Sequence, residues 1–540
     1  MAEMADMADV AGKARPRRYW LLAAVVTLLA AGLRLYGLTE TSLTVDEGTL
    51  FIFAKSIHTY GYPVIWGGTV EAQLATYEFY SYILALSLAI FGDSDFAMRF
   101  PNFLMAVGTA YLIYSAGCRW FNLRTGFIAG LLFACAPWAI FWGQNGFHPQ
   151  AHQFFGLLTL IQAVRILKDE PVAPRTYYLA ALFFCLGYLS WEGLGFILPE
   201  LVIAALIMTW GRWKWLISGH LWTACAIVIG VILAQGVRRT LLLDNYLLVG
   251  TGRSEIAGPE LAFLQPFYEP YFYVNQIFGW YTQFVVAIVF FLGVFFAPRN
   301  WHFRFLATFT LTSVLLLANL LSYYTLHYVY AVLPAFVLSV AATTVIFVDW
   351  LAQRDTQLSP RRRDWAGAIA LSALTGLELA TAGVLGLKTY SITPTAQSPS
   401  GTAYGTRRGT EFVDYRGNAK DYNAIAVPGD PAVVQTALAF GKYTENRDKH
   451  MFMESWTYQK VLFDPGGDRV HFISKASSGI VVKDLRMLED VLGRNQRLWF
   501  VVAPYDVSVS ALDPEMLLTF QRFTKLKSES YQAKVLLWTQ

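Results

Sequence analysis

The chain has 540 residues, of which 55% are hydrophobic, 16% aromatic and only 15% charged. That balance excludes an ordinary water-soluble domain over the whole length, because average globular usage carries more charge. The net charge of +4 is small and says little by itself, and no nucleic-acid partner is indicated. Repeated apolar runs of about 18–20 residues read instead as membrane-spanning helices. The four cysteines, Cys118, Cys135, Cys185 and Cys225, fall in or beside these runs without a CxxC pair. They read as small buried residues, not as a disulfide framework.

The first basic cluster, Lys13, Arg15, Arg17 and Arg18, precedes an apolar run from Tyr19 to about Leu38. It resembles a signal peptide, but the run is long and no small-x-small cleavage site lies ahead of Asp46. The reading is an uncleaved first span with a cytoplasmic N-terminus (residues 1–18). A short polar loop follows, with two adjacent carboxylates, Asp46 and Glu47. Charges at a membrane boundary are costly to desolvate, which makes them candidates for function. Two roles stay open for Asp46. It is a general base whose pKa desolvation raises, or it caps a helix expected over 48–54. Adjacent carboxylates do not easily face one spot. One is therefore expected to act on substrate while the other orients it, coordinates an ion or caps the helix.

The next apolar segment, Leu74–Phe91, is interrupted by Glu78 and by Tyr77, Tyr80 and Tyr82. If it spans, the later basic loops fall on the wrong side of the membrane. If it lies in the interface or is re-entrant, every basic loop is cytoplasmic, as the positive-inside rule expects. The second choice predicts about eleven transmembrane helices, near 19–38, 100–118, 125–142, 150–166, 177–191, 193–210, 215–235, 279–297, 304–321, 328–349 and 365–387. Arg354, Arg361, Arg362 and Arg363 are the strongest cytoplasmic anchor. The odd count puts the C-terminal segment outside.

The outer loops are then 38–99, 143–149, 191–193, 236–278 and 322–327. Arg99 stands at a helix end, where a long cationic side chain can snorkel to the interface. His148 and His152, four residues apart, can share a helix face and contact substrate or ligate a metal. Glu192 stands at the tip of the short hairpin Trp191-Glu192-Gly193, where it can hold the turn. Loop 236–278 is rich in aromatic residues that suit the headgroup level or a lipid groove. It contains Arg238, Arg239 and Arg253, which suit headgroup contacts, and His327 lies in the next outer loop.

Residues 391–410 read as a Ser/Thr/Pro/Gly linker. Beyond it, short apolar runs suit strands at Ala424–Val427, Val470–Ile473, Ile480–Val482, Leu498–Val502 and Val535–Trp538. Helical patterns fit Val433–Phe440, Leu485–Leu492 and Pro514–Phe523. The alternation predicts a small extracytoplasmic α/β domain over 411–540. It has no GxGxxG or Walker A motif, so nucleotide binding is not indicated.

The order of motifs resembles GT-C membrane glycosyltransferases, in the branch of protein O-mannosyltransferases and lipid A aminoarabinose transferases. The resemblance rests on the loop pair Asp46-Glu47 and on Phe91-Gly92-Asp93-Ser94-Asp95-Phe96-Ala97-Met98-Arg99-Phe100-Pro101. It continues through Trp120-Phe121-Asn122-Leu123-Arg124, Ala136-Pro137, Trp191-Glu192-Gly193 and His327-Tyr328 with Pro334. It covers roughly 19–390. His148 stands where the family commonly has an acidic residue, and Ala75-Thr76-Tyr77-Glu78 replaces the usual Lys or Pro-Pro.

The resemblance implies a GT-C transmembrane catalytic domain over 19–390 in the cytoplasmic membrane. It implies a polyprenyl-phosphate sugar donor and inversion at the sugar. Asp46 would be the base that activates an acceptor hydroxyl, and Glu47 its neighbour. Arg99, Arg253 and His327 would meet the donor phosphate, while His148, His152 and Glu192 would contact substrate. The acceptor would be a lipid, glycan or protein, and membrane lipids surround the chain. No cofactor is required by this reading, and a divalent cation is compatible with it. The competing readings are a transporter or flippase for a lipid-linked sugar, with the carboxylates as an ion site, and an inactive glycolipid-binding relative.

Overall fold

In a computed structural model of the chain, the residues described are 17–36, 38–39, 45–67, 70–74, 77–168, 171–242, 284–296, 300–320, 326–354, 360–382, 432–434, 469–470, 474–480, 493–494, 497–502, 524–529 and 534–539. The chain divides into two compact units. One comprises Met1–Tyr36, Asn102–Gln144 and His148–Lys388. The other comprises Gly37–Pro101, Asn145–Phe147 and Thr389–Gln540.

The first unit is helical. It begins with α1 (Arg17–Leu35) and takes in most of α4 (Asp95–Trp120). Then come α5 (Leu123–Cys135), α6 (Pro137–Gly143), α7 (Pro149–Lys168), α8 (Pro174–Ser190), α9 (Ile197–Met208) and α10 (Gly219–Leu242). The remainder is α11 (Phe284–Phe296), α12 (Trp301–Leu320), α13 (Leu326–Tyr330), α14 (Leu333–Arg354) and α15 (Pro360–Ala382). Four helical stretches among the described residues are long and apolar enough to cross a membrane: Arg17–Leu35, Asp95–Trp120, Gly219–Arg238 and Leu333–Leu351. Leu123–Cys135, Trp301–Leu317 and Gly367–Leu379 are shorter apolar helices.

The core lies along α14, which is buried for most of its length and packs on α5, α11, α12 and α15. Glycine lets α4 and α5 cross closely: a Cβ on Gly117 of α4 would lie 2.6 Å from the Cα of Gly126 in α5. Thr109, Thr159, Ser313, Ser339 and Thr343 each donate to the carbonyl four residues back. A hydroxyl in an apolar surrounding is thereby satisfied within its own helix.

Several expected spans are interrupted. The one expected over 125–142 breaks at Ala136, whose φ of −61° and ψ of 122° are extended. Pro137 has no N–H to give the carbonyl of Phe133, so the ladder cannot continue. The buried guanidinium of Arg34 supplies donors instead. Its Nη2 reaches Phe133 O at 3.3 Å, and its Nη1 reaches Ala134 O at 3.0 Å and Ala30 O at 3.1 Å. Gly143 leaves room for it, since a Cβ there would lie 2.8 Å from Arg34 Nε. Gln144 ties the same region together by donating to the carbonyls of Leu33 and Tyr36. The span expected over 193–210 opens with a 3₁₀ turn, Glu192–Phe196, and that over 328–349 is split between α13 and α14. The outer loop expected from residue 236 begins later, because α10 runs to Leu242.

In the second unit, α2 (Val45–Tyr60) is followed by an antiparallel hairpin, β1 (Val64–Gly67) and β2 (Val70–Leu74), and by α3 (Glu78–Phe91). At 14 residues, α3 is about 21 Å long, short of the ~30 Å apolar thickness of a bilayer. Pro101 sits inside α4 and leaves the carbonyl of Ala97 without its helical donor. Ser87 of α3 donates to that oxygen at 2.6 Å.

The second unit also contains β3 (Ala432–Val434), β4 (Arg469–Val470), β5 (Ser474–Ile480), β6 (Arg497–Val502), β7 (Thr524–Glu529) and β8 (Lys534–Thr539). They form one six-stranded sheet in the order β4-β5-β3-β6-β8-β7. β3 is parallel to β5 and β6, and the other pairs are antiparallel. The helix expected over Val433–Phe440 is corrected at its start, where Val433 lies in a strand. The strands expected near Val470, Ile480, Leu498–Val502 and Val535–Trp538 are present, with shifted ends. β7 was not expected. Its sequence Thr-Lys-Leu-Lys-Ser-Glu is polar, as suits an edge. The linker, the strand at Ala424–Val427 and the helices at Leu485–Leu492 and Pro514–Phe523 fall outside the described residues, apart from Leu492's neighbours Gly493 and Arg494.

Candidate active site

In the second unit a buried charge pair joins α2 to α4. Glu47, in the first turn of α2, is fully buried, and Arg99 on α4 is 1% exposed. Arg99 donates from Nε to Glu47 Oε1 at 2.8 Å and from Nη2 to Oε2 at 3.0 Å. Its Nη1 donates to the carbonyl of Leu38 at 2.9 Å. The planar fork fits a carboxylate with two parallel bonds, which a lysine cannot do. Snorkelling is thereby excluded for Arg99. Its guanidinium is buried on a carboxylate and a backbone carbonyl.

A third segment joins the pair. The Gly146 N–H donates to Glu47 Oε1, and the Gly146 carbonyl accepts from Tyr80 Oη at 2.8 Å. Phe147 N–H donates to Asn145 Oδ1 at 2.8 Å, and Tyr77 stands edge-on to the Phe147 ring, 6.4 Å between centroids. Burial, and then the Glu47 carboxylate nearby, hold the Tyr80 phenol well above its ordinary pKa, so it stays a donor. At the surface of this unit Lys55 pairs with Asp93 at 2.8 Å.

Asp46 is the second residue of α2. The helix starts at Val45, earlier than expected, so Asp46 stands inside its first turn and not at the cap. An acidic residue there suits the helix dipole. Its side chain lies outside the described residues, as does that of His327 on α13. Arg253 lies wholly outside them.

In the first unit the two candidate histidines come together, as their spacing suggested. His148 is fully buried and stacks on Trp191, with ring centroids 4.7 Å apart and an interplanar angle of 18°. His152, one turn into α7, meets the edge of the same indole at 4.8 Å and 71°. Trp191 also contacts Tyr328 at 4.8 Å. Trp191 is extended, with φ −166° and ψ 121°, and this turns the chain from α8 into the 3₁₀ segment. Gly193 is required there, because a Cβ would run into the Trp191 ring. Glu192, half-buried, begins that segment. Among the described residues no group of three or more His, Cys, Asp or Glu side chains is placed to hold a metal ion.

Behind the histidines, Gln150 and Gln153 form a buried network that motif reading did not find. Tyr330 Oη donates to Gln150 Oε1 at 2.8 Å, and Gln153 Nε2 donates to Tyr330 O at 2.8 Å. Tyr80 and Gly146 were missed as well. The only sequence signal for them is a tyrosine within an aromatic run and a glycine between an asparagine and a phenylalanine.

Residues 79–236 match the model of the family described as dolichyl-phosphate-mannose-protein mannosyltransferase. No curated protein matches the chain by sequence. Among solved structures, ArnT from Cupriavidus metallidurans bound to undecaprenyl phosphate is similar over 97% of this chain and 98% of its own, with 13% identity and a TM-score of 0.54. ArnT from the same organism in the apo state is similar over 96% and 97%, with 13% identity and a TM-score of 0.52. At that identity the likeness is one of fold. The chain therefore shares the fold of ArnT, and its residues 79–236 match the mannosyltransferase family model.

Proposed function

We propose that the chain is a membrane glycosyltransferase that moves a sugar from a polyprenyl-phosphate donor to a hydroxyl acceptor on the outer face of the cytoplasmic membrane. The observation that carries this reading is the buried Glu47–Arg99 pair, which fixes the first turn of the helix on which Asp46 stands. Support for the donor class comes from the fold shared with ArnT, whose structure holds undecaprenyl phosphate. In the reaction the acceptor oxygen attacks the anomeric carbon from the face opposite the phosphate. The bond from that carbon to the phosphate oxygen breaks, and its electron pair leaves on the polyprenyl phosphate. The acceptor proton passes to the Asp46 carboxylate, and the sugar is inverted.

Glu47 and Arg99 position Asp46. Arg253 and His327 meet the donor phosphate, where cationic donors offset the charge of the leaving group. His148, His152 and Glu192 contact the sugar or the acceptor. Eleven crossings place residues 411–540 outside, as a small α/β domain that guides the acceptor or covers the site. A divalent cation at the phosphate is compatible with these roles.

The test is incubation of the full-length, membrane-inserted protein with radiolabelled polyprenyl-phosphate sugars and lipid, glycan and peptide acceptors. Transfer is expected with at least one pair, and Asp46→Asn is expected to lower it by roughly 10²- to 10⁴-fold. Full activity in Asp46→Asn would overturn the assignment of the base. Binding without transfer would make the chain an inactive glycolipid-binding relative, and movement of the donor across the bilayer would make it a flippase.

A further inference from the structure

We propose that Tyr80 is a positioning residue for the transfer reaction, acting through the Gly146 peptide on Glu47; this rests on the glycosyl-transfer reading above. Tyr80 belongs to the run Tyr77-Glu78-Phe79-Tyr80-Ser81-Tyr82, and composition alone would make it one more aromatic at the membrane boundary. Its surroundings are different. Tyr82 is 44% exposed, whereas Tyr80 is 0% exposed. A buried phenol needs a hydrogen-bond partner, and Tyr80 finds the Gly146 carbonyl at 2.8 Å.

The partner is what gives the contact meaning. Gly146 is held through both of its flanking amides: the N–H of the Asn145–Gly146 amide donates to Glu47 Oε1, and the carbonyl of the Gly146–Phe147 amide accepts from Tyr80. Glu47 Oε1 therefore has two buried donors, Arg99 Nε and the Gly146 N–H, while Oε2 has Arg99 Nη2. Arg99 fixes the carboxylate in the plane of its own fork. The Gly146 N–H adds a donor from a different segment of chain, and Tyr80, by pinning the next amide, restricts the Gly146 backbone torsions that aim this N–H at Glu47. No side chain fits at this position. A Cβ on Gly146 would lie 2.8 Å from Met98 O and 3.1 Å from Glu47 Oε1. Asp46 is covalently next to Glu47 on the same first turn, so an error in Glu47 is inherited by the proposed base. Productive geometry tolerates little: a misplacement of about 1 Å can cost roughly 10²-fold in rate.

Tyr80→Phe removes one oxygen and keeps the ring. In the full-length protein, kcat for transfer is expected to fall about tenfold. The donor KM and the number of undecaprenyl phosphate sites are expected to stay unchanged. Tyr82→Phe, which removes an exposed bond to the Gly61 carbonyl, is the control and is expected to keep wild-type kcat. A purely structural Tyr80 would instead lower binding sites and kcat together, and that result overturns the proposal, as does wild-type kcat in Tyr80→Phe. Amide hydrogen exchange at Gly146 is a second readout, independent of turnover. Exchange about tenfold faster in Tyr80→Phe supports the clamp, and unchanged exchange overturns it. If the wild-type chain transfers no sugar, the glycosyl-transfer reading fails, while the exchange result still decides whether Tyr80 holds Gly146.

Discussion

Glu47 and Arg99 are opposite charges with almost no exposure, and neither can be removed alone without stranding the other. Leaving one buried charge uncompensated costs about 3–5 kcal/mol, so the pair constrains the loop far more than a surface ion pair would. Gly146 is its weakest neighbour by size and its strictest by space. Gly146→Ala is expected to destabilise the protein by about 1–3 kcal/mol, the cost of an added methyl in filled space. A thermal melt in detergent checks this, and transfer activity is expected to fall with it. The charges themselves were legible in the sequence, because carboxylates and an arginine near apolar runs stand out. Their pairing was not, since Arg99 meets a partner 52 residues away and residue type alone does not say whether a guanidinium faces phosphate or carboxylate. Tyr80 was hidden for a related reason: a buried tyrosine and a boundary tyrosine have the same letter. His148 and His152 were readable as a pair because helical spacing is local, but the indole between them comes from a distant hairpin.

Helices were legible where the apolar run was long and unbroken, as in α1, α4 and α14. They were misread where proline intervened, because an apolar count does not register a missing N–H. The two internal breaks are repaired in the same way, by a side chain that donates to the carbonyl the proline abandoned: Ser87 for Ala97, and Arg34 for Phe133. Arg34→Met is therefore expected to destabilise the chain by about 1–3 kcal/mol, the cost of losing buried hydrogen bonds to the Ala30, Phe133 and Ala134 carbonyls. Pro137→Ala restores an N–H to the ladder, so the double variant is expected to lose less than the two single variants summed. A double-mutant cycle on melting temperature reads the coupling directly, and strict additivity would show that Arg34 does not serve the break.

For the whole molecule, orientation follows from the distribution of basic residues and not from net charge. An impermeant thiol reagent applied to right-side-out vesicles is expected to label Ser400→Cys and to spare Arg362→Cys; the opposite pattern would put the sheet in the cytoplasm. The sheet was only partly legible. Leu498–Val502 and Val535–Trp538 are apolar enough to announce themselves, but β7 is an edge strand of lysines and serines with no hydrophobic signal. Ala432–Val434 is too short for its period to separate strand from helix. Strand order also bears on how the protein is made. β8 lies between β6 and β7, although the chain is synthesised with β7 ahead of it. β7 joins the sheet only through β8, so a chain cut between residues 529 and 534 loses both strands from the sheet and leaves β6 with an open edge.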